Sequence, residues 1–182
     1  IANKQGVGVK MEAEILASQT VTIDANGDVY YSSIAAGNEV DLKSAGKIQG
    51  LDSSSQISAP NITVKADQFN NLGLVSASSL NIQNSGSLTN LGDIFAFKLN
   101  FSYINNINNS GLLYGENSLG ITADNLTNDS SGNILSLGKL DINSNSSLIN
   151  SNQILGDDLN ITAMNLANNS IIQSGNNLTL TT

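Results

Sequence analysis

Short apolar triplets with a polar residue at their centre recur along the chain. Leu80-Asn81-Ile82 is an example, and its alternation is that of a β-strand with one buried face. We call these triplets anchors. Successive anchors lie 18 to 22 residues apart, and a repeat of this length defines the architecture of the whole chain. The nine anchors begin at Val21, Val40, Ile62, Leu80, Leu99, Leu119, Leu140, Leu159 and Leu178.

Two further apolar positions accompany each anchor. One follows the start of the anchor by seven or eight residues, at Val29, Ile48, Phe69, Leu88, Ile107, Leu126, Leu148 and Leu166. The other precedes the next anchor by five or six residues, at Ile34, Ile57, Val75, Ile94, Leu113, Leu135, Ile154 and Ile172. One turn with three short inward-facing segments cannot bury its apolar side alone, but stacked turns form a continuous core. The pattern therefore predicts an all-β parallel β-helix of about nine rungs of roughly 20 residues.

The repeat differs in regularity along the chain. Residues 1–60 predict irregular first rungs, and residues 61–182 predict regular ones within a single continuous solenoid. The longest step, from Val40 to Ile62, contains Ser53-Ser54-Ser55, and we expect its extra residues to form an outward loop.

Asparagine follows the second apolar position in most of the regular repeats. Placed at one corner of every rung, such side chains can share amide hydrogen bonds along the axis. We predict a structural ladder of asparagines. Its members are Asn90, Asn128, Asn150 and Asn168. Glycine comes next in several repeats, at Gly73, Gly92, Gly111 and Gly132, where we expect a positive φ.

Aromatic residues make up only 4% of the chain, yet several lie close together in sequence. The residue after the third apolar position should face outward, and in successive repeats it is Ser76, Phe95, Tyr114, Ser136, Leu155 and Gln173. Phe95 and Tyr114 should then stack on the outside, and with Phe97 and Tyr103 they are candidate binding residues. Cross-strand packing that stabilises the sheet is the alternative interpretation. Tyr103 occupies a position that is small in other repeats, which predicts local widening or outward rotation.

The composition limits the kinds of partner and site that the chain can have. The formal net charge is −8, from 15 acidic residues and 7 lysines, and arginine, histidine and cysteine are absent. We therefore expect no nucleic-acid partner, no thiolate metal site and no cofactor. There is no apolar run long enough to span a bilayer, so we expect no membrane insertion by this segment. Asp157-Asp158 is the only adjacent carboxylate pair, and we interpret it as a solvated corner balanced by Lys98 and Lys139. We expect a protein that is not an enzyme.

The composite repeat resembles that of filamentous haemagglutinin-like exoproteins, which include the CdiA-type effectors of contact-dependent growth inhibition. Leu80-Asn81-Ile82, Leu88-Thr89-Asn90 and Gly92-Asp93-Ile94 together show the likeness. The resemblance implies a right-handed parallel β-helix and two-partner secretion through an outer-membrane pore. It also implies a rod on the bacterial cell surface or secreted from it. We expect the sequence to be a piece from the middle of such a chain.

Three functional hypotheses follow. In the first, the segment is a stalk that holds a distal adhesive or toxic element away from the cell. In the second, it binds a receptor or glycan of a host or neighbouring cell. In the third, it is a polysaccharide-degrading β-helix, which would need two carboxylates that converge in one cleft.

Overall fold

The structure, a computed structural model, describes residues 2–3 and 8–182 of the chain. Its strands form one parallel sheet that is wound into stacked coils, about 9 turns of about 19 residues, and the described residues contain no helix. The predicted parallel β-solenoid is confirmed. The strands are β1 (Ala2–Asn3), β2 (Val9–Ala17), β3 (Thr20–Ala25), β4 (Val29–Ala36), β5 (Glu39–Ser44), β6 (Lys47–Gly50), β7 (Gln56–Asn71), β8 (Leu74–Asn90), β9 (Asp93–Asn109), β10 (Leu112–Asn128), β11 (Asn133–Ser136), β12 (Lys139–Asn150), β13 (Gln153–Asn168) and β14 (Ile171–Thr181).

The nine anchors stack directly on one another in parallel register. Leu80, for example, pairs with Ile62 on one side and with Leu99 on the other. The same pairing continues from Val21 to Leu178 without a break. We call this side of the coil the anchor face. The apolar anchor residues are buried through Ile161, as alternation in a half-buried strand requires.

The other two apolar positions form two further faces. The asparagine face carries the inward row that runs from Val29 to Leu166. The aromatic face carries the inward row that runs from Ile15 to Ile172. The three rows meet in one core along the axis of the coil. Each turn therefore depends on its neighbours for burial, as in other repeat proteins.

One predicted inward residue was wrong by a single position. Ile134, rather than Leu135, is fully buried and pairs with Leu113 and Ile154. Leu135 instead pairs with Tyr114 on the outer surface. Ser136, which was predicted to face outward, is consequently buried. Two apolar residues in succession left the alternation ambiguous here.

Strand length changes near residue 56. The strands between Thr20 and Gly50 have 4 to 8 residues, whereas β7 to β10 have 16 or 17 because they run continuously around the corners of the coil. The predicted loop of the long step lies at residues 51–55. Asp52 closes it by accepting hydrogen bonds from the backbone and hydroxyl of Ser54, at 2.8 and 2.6 Å. A turn also precedes Val21, because β2 pairs with β4.

The glycines after the asparagine corner serve close approach rather than left-handed backbone geometry. None of the four has a positive φ, so that expectation was wrong. A Cβ on Gly92 would lie 2.1 Å from the carbonyl oxygen of Gly73, and one on Gly111 would lie 2.0 Å from that of Gly92. Glycine is required there because the backbone of the preceding turn occupies the space a side chain would need.

Candidate functional site

A column of asparagines, buried in all but its last turn, runs along the axis on the asparagine face. Five of them donate a hydrogen bond from Nδ2 to the Oδ1 of the asparagine in the next turn, at 2.8 to 2.9 Å, and Asn168 ends the column by accepting the last of these bonds. Its six members are Asn71, Asn90, Asn109, Asn128, Asn150 and Asn168. The four predicted members all lie in this column. Asn71 and Asn109 were missed, although both follow the inward apolar residue by two positions, as Asn90 does.

Each amide of the column also donates a hydrogen bond to a backbone carbonyl. The Nδ2 of Asn90 also donates to the carbonyl of Leu112 at 3.1 Å, and that of Asn128 donates to the carbonyl of Gln153 at 3.2 Å. The ladder thus joins the asparagine face of one turn to the aromatic face of the next. Because paired amides bury polar atoms at little cost, the column stabilises the coil and its register. Its first five members are buried and offer no surface to a ligand, while Asn168 is exposed.

The aromatic candidates lie on the outside of the aromatic face. Phe95 and Tyr114 are partners in register, and their rings meet edge to face with centroids 5.6 Å apart and planes inclined at 61°. Phe97 lies beside them and is 47% exposed. All three line one shallow groove of about 260 Å³, together with Glu116. The structure therefore brings together three of the four predicted binding residues.

Tyr103 lies apart from these three residues. Its side chain is 82% exposed, and its backbone has a φ of 60°, which is rare for a bulky residue. The next residue, Ile104, takes the inward position and pairs with Ala123. Of the two predicted alternatives, outward rotation is therefore the one the structure adopts. Tyr103 lines a separate depression of about 180 Å³ at another corner of the coil.

The adjacent carboxylates Asp157 and Asp158 lie at the corner that precedes the anchor Leu159. Asp158 lies opposite Lys139 in register, but Lys139 forms its ion pair with Asp141 at 2.7 Å, while Asp158 accepts a hydrogen bond from Asn177 at 2.9 Å. The charge balance predicted for this corner therefore involves different partners. Among the residues that the structure describes, no three His, Cys, Asp or Glu side chains are grouped to hold a metal ion.

A surface depression of about 410 Å³ lies at a corner of the early turns. Asp24, Lys43, Lys65 and Asp67 line it. Asp24, Lys43 and Lys65 occupy successive turns of one row, and Asp67 lies two residues beyond Lys65, so the backbones of the two aspartates are about two rungs, roughly 10 Å, apart along the axis. Retaining glycosidases hold their carboxylates about 5 Å apart and inverting ones up to about 9.5 Å. The backbone spacing is about twice the retaining separation, and Lys43 occupies the turn between the two aspartates.

Three exposed or partly exposed carboxyl groups have lowered pKa values. The Ser110 hydroxyl lowers the pKa of Asp129, and Ser54 and Lys10 do so for Asp52 and Glu12 respectively. These are loop and surface contacts. Burial raises the pKa of Tyr31, which lies in the core. A general acid and base with opposed shifts in one cleft would mark a catalytic site, and these four groups do not lie together in that way.

The fold and these surfaces define the class of protein: a parallel β-solenoid with a buried amide ladder and aromatic residues on one outer face. No protein-family description, curated protein or solved structure matches the chain. Within the described residues, there is no helix of the length and apolarity needed to cross a membrane.

Proposed function

We propose that this chain is a rod segment of a large secreted bacterial surface exoprotein, of the filamentous haemagglutinin-like kind. Such an exoprotein is an adhesin or an effector of contact-dependent growth inhibition. The segment would hold a distal adhesive or toxic element away from the cell. The observation that supports this proposal is the unbroken register of nine stacked anchors.

The physics of stacking suits a chain exported through an outer-membrane pore. Each turn contacts its neighbours, so stability is a sum of turns and interfaces, and folding can advance one turn at a time as the chain emerges. Nine turns at about 4.8 Å each give a rod of roughly 40 Å. The amide ladder adds a directional bond at each of five interfaces, which favours addition of every turn in the same register.

The proposal is tested by inserting residues 8–182 into the rod of a two-partner secretion exoprotein that carries an epitope beyond the insertion. We expect export to continue and the epitope to stay accessible on the cell surface, about 40 Å further from the membrane. A control insert with Leu119→Asp and Leu126→Asp places charges in the core and should reduce surface display. Loss of export with the native insert, although the purified chain folds, would contradict the proposal.

A second candidate function is recognition of a receptor by this same segment. The aromatic pair Phe95 and Tyr114, with the exposed Phe97 beside it, favours this function. The test is binding of labelled chain to host and bacterial cells, with a Phe95→Ser/Tyr114→Ser variant. Tyr103→Asn is the matched control, because it removes an exposed aromatic residue from another corner. Saturable binding that only the double variant loses would support recognition.

A further inference from the structure

The three outer faces of the coil differ in polarity. In the turns from residue 70 to residue 160, the outward central position of the anchor face is held by Asn81, Asn100, Gly120, Asp141 and Asn160. On the asparagine face the outward central position is polar in three of these turns, at Thr89, Asn108 and Thr127. On the aromatic face the same row is apolar in four consecutive turns. It comprises Phe95, Tyr114, Leu135 and Leu155.

A second row makes this apolar surface a groove. Phe97 and Leu137 lie two positions beyond Phe95 and Leu135, and Leu137 is 68% exposed. Between the two rows the chain has small buried residues, which leave only backbone at the floor. They are Ala96, Gly115, Ser136 and Gly156. Two depressions, of about 260 and 240 Å³, follow this floor along the axis. We call the six large apolar residues the apolar strip: Phe95, Phe97, Tyr114, Leu135, Leu137 and Leu155.

The charges within the rows that form and flank the strip are acidic. Asp93 lies in the row before it, and Glu116 and Asp157 alternate with Phe97 and Leu137 in the row after. No lysine occupies these three outward rows between residues 74 and 175. The nearest lysines lie in the next row along the chain, where Lys98 directly follows Phe97 and Lys139 follows Leu137 by two positions. Their row also contains Asp158, and Lys139 is paired with Asp141.

We propose that the apolar strip is the docking surface for a basic polypeptide with apolar side chains. Apolar residues of the partner would fill the groove, and its lysines or arginines would meet Asp93, Glu116 and Asp157. A second copy of the chain would bring the same three carboxylates and a net charge of −8, which opposes self-association through this face. An anionic lipid surface is opposed for the same reason.

The inference rests on the second candidate function, recognition by this segment, and it does not depend on export. Its test therefore uses the purified chain and three labelled peptides of twelve residues. One alternates lysine and valine, one alternates glutamate and valine, and one alternates lysine and serine. We expect the lysine–valine peptide to bind saturably by fluorescence anisotropy, and the other two to bind at least tenfold more weakly. Its binding should weaken at 0.5 M salt, which screens the carboxylates.

Variants locate the site. Tyr114→Ser/Leu135→Ser should weaken binding of the lysine–valine peptide at least tenfold. Glu116→Gln/Asp157→Asn should weaken it about threefold and reduce its salt dependence. Tyr103→Asn and Asn100→Ser, on other parts of the surface, should leave it unchanged. Circular dichroism checks that each variant folds. If the first variant does not fold, Phe97→Ser/Leu137→Ser replaces it, because both side chains are largely exposed.

Several results would overturn the inference. Equal binding of the lysine–serine peptide would show attraction by charge alone. Equal binding of the glutamate–valine peptide would show that the carboxylates do not select a basic partner. Self-association that Tyr114→Ser/Leu135→Ser abolishes would assign the strip to a second copy. No binding by the folded chain, or full binding by the strip variants, would also reject it, and the rod proposal would stand independently in each case.

Discussion

Asn128 donates its Nδ2 hydrogen bond to the Oδ1 of Asn150 at 2.8 Å, although 22 residues separate the two. Asn109 and Asn128, which are 19 residues apart, meet at the same distance. The three extra residues are absorbed elsewhere: two in the turn at residues 129–132 and one in the register shift near Ser147. Turns vary in length at the surface, while the spacing of the ladder along the axis stays constant.

Asn128→Ala tests the energetic importance of the ladder. The change removes three hydrogen bonds, leaves the buried Oδ1 of Asn150 with only the long 3.4 Å bond from the backbone of Asn152, and should destabilise the chain by about 2–4 kcal/mol. The control is Asn125→Ala, in the same turn. Asn125 forms a similar amide bond to Asn106 at 3.1 Å, but at the exposed surface, so its loss should cost less than about 0.5 kcal/mol. The measurement is urea unfolding, with hydrogen exchange to locate the weakened turns, and equal effects of the two variants would contradict a special role for the buried column.

Two glycines of the same turn, Gly111 and Gly120, should respond oppositely to substitution. Gly111→Ala places a Cβ 2.0 Å from the carbonyl oxygen of Gly92, so the stacked backbones must separate, and we expect a loss of at least about 2 kcal/mol. A Cβ on Gly120 would meet only the Oδ1 of Asn100, at 3.0 Å, and that side chain can move. Gly120→Asn should therefore stabilise the strand by about 0.5–1 kcal/mol, since glycine weakens strand interiors. Thermal unfolding compares the two variants. Destabilisation by Gly120→Asn would show that the absence of a side chain at this position is structurally required.

The repeat in the sequence was enough to predict the fold, because a period of two with one buried face decides which side of each anchor faces inward. It failed where that alternation was ambiguous, at Ile134-Leu135. The sequence also could not show that the backbones at Gly92 and Gly111 lie in close contact. A glycine that is required for close approach between turns looks the same in the sequence as a glycine that is required for a positive φ. The sequence predicted only part of the apolar strip. Because Leu135 was assigned to the core, the outward apolar row appeared to end at Tyr114.

Tyr31 should make the chain sensitive to alkaline pH. It pairs with Gly50 in the column that the ladder asparagines occupy further along, and its buried hydroxyl has no hydrogen-bond partner among the described residues. Burial raises the pKa of Tyr31 far above its ordinary value of 10.0, so the hydroxyl stays neutral in the folded chain. The unfolded chain ionises near pH 10, and the stability from this residue is therefore complete below pH 10 and lost above it, by up to about 1.4 kcal/mol per pH unit.

Tyr31→Phe separates this effect from the titration of lysines, which both chains share. It keeps the ring in the core and removes the unpaired hydroxyl, so it should stabilise the chain by about 1 kcal/mol at pH 7. Its free energy of unfolding should also fall less steeply between pH 10 and pH 11 than that of the native chain. Parallel pH dependence in the two proteins would mean that Tyr31 is not the residue responsible.

Tyr103 should carry backbone strain that substitution relieves. A φ of 60° costs a bulky residue on the order of 1 kcal/mol, and the side chain recovers little of that cost because it is 82% exposed. Tyr103→Gly or Tyr103→Asn should therefore raise the free energy of unfolding by about 0.5–1 kcal/mol, since both residues tolerate left-handed geometry. Tyr103→Val is the matched opposite, because a β-branched residue disfavours this conformation and should destabilise the chain. If all three substitutions destabilise it equally, the tyrosine ring itself stabilises this corner.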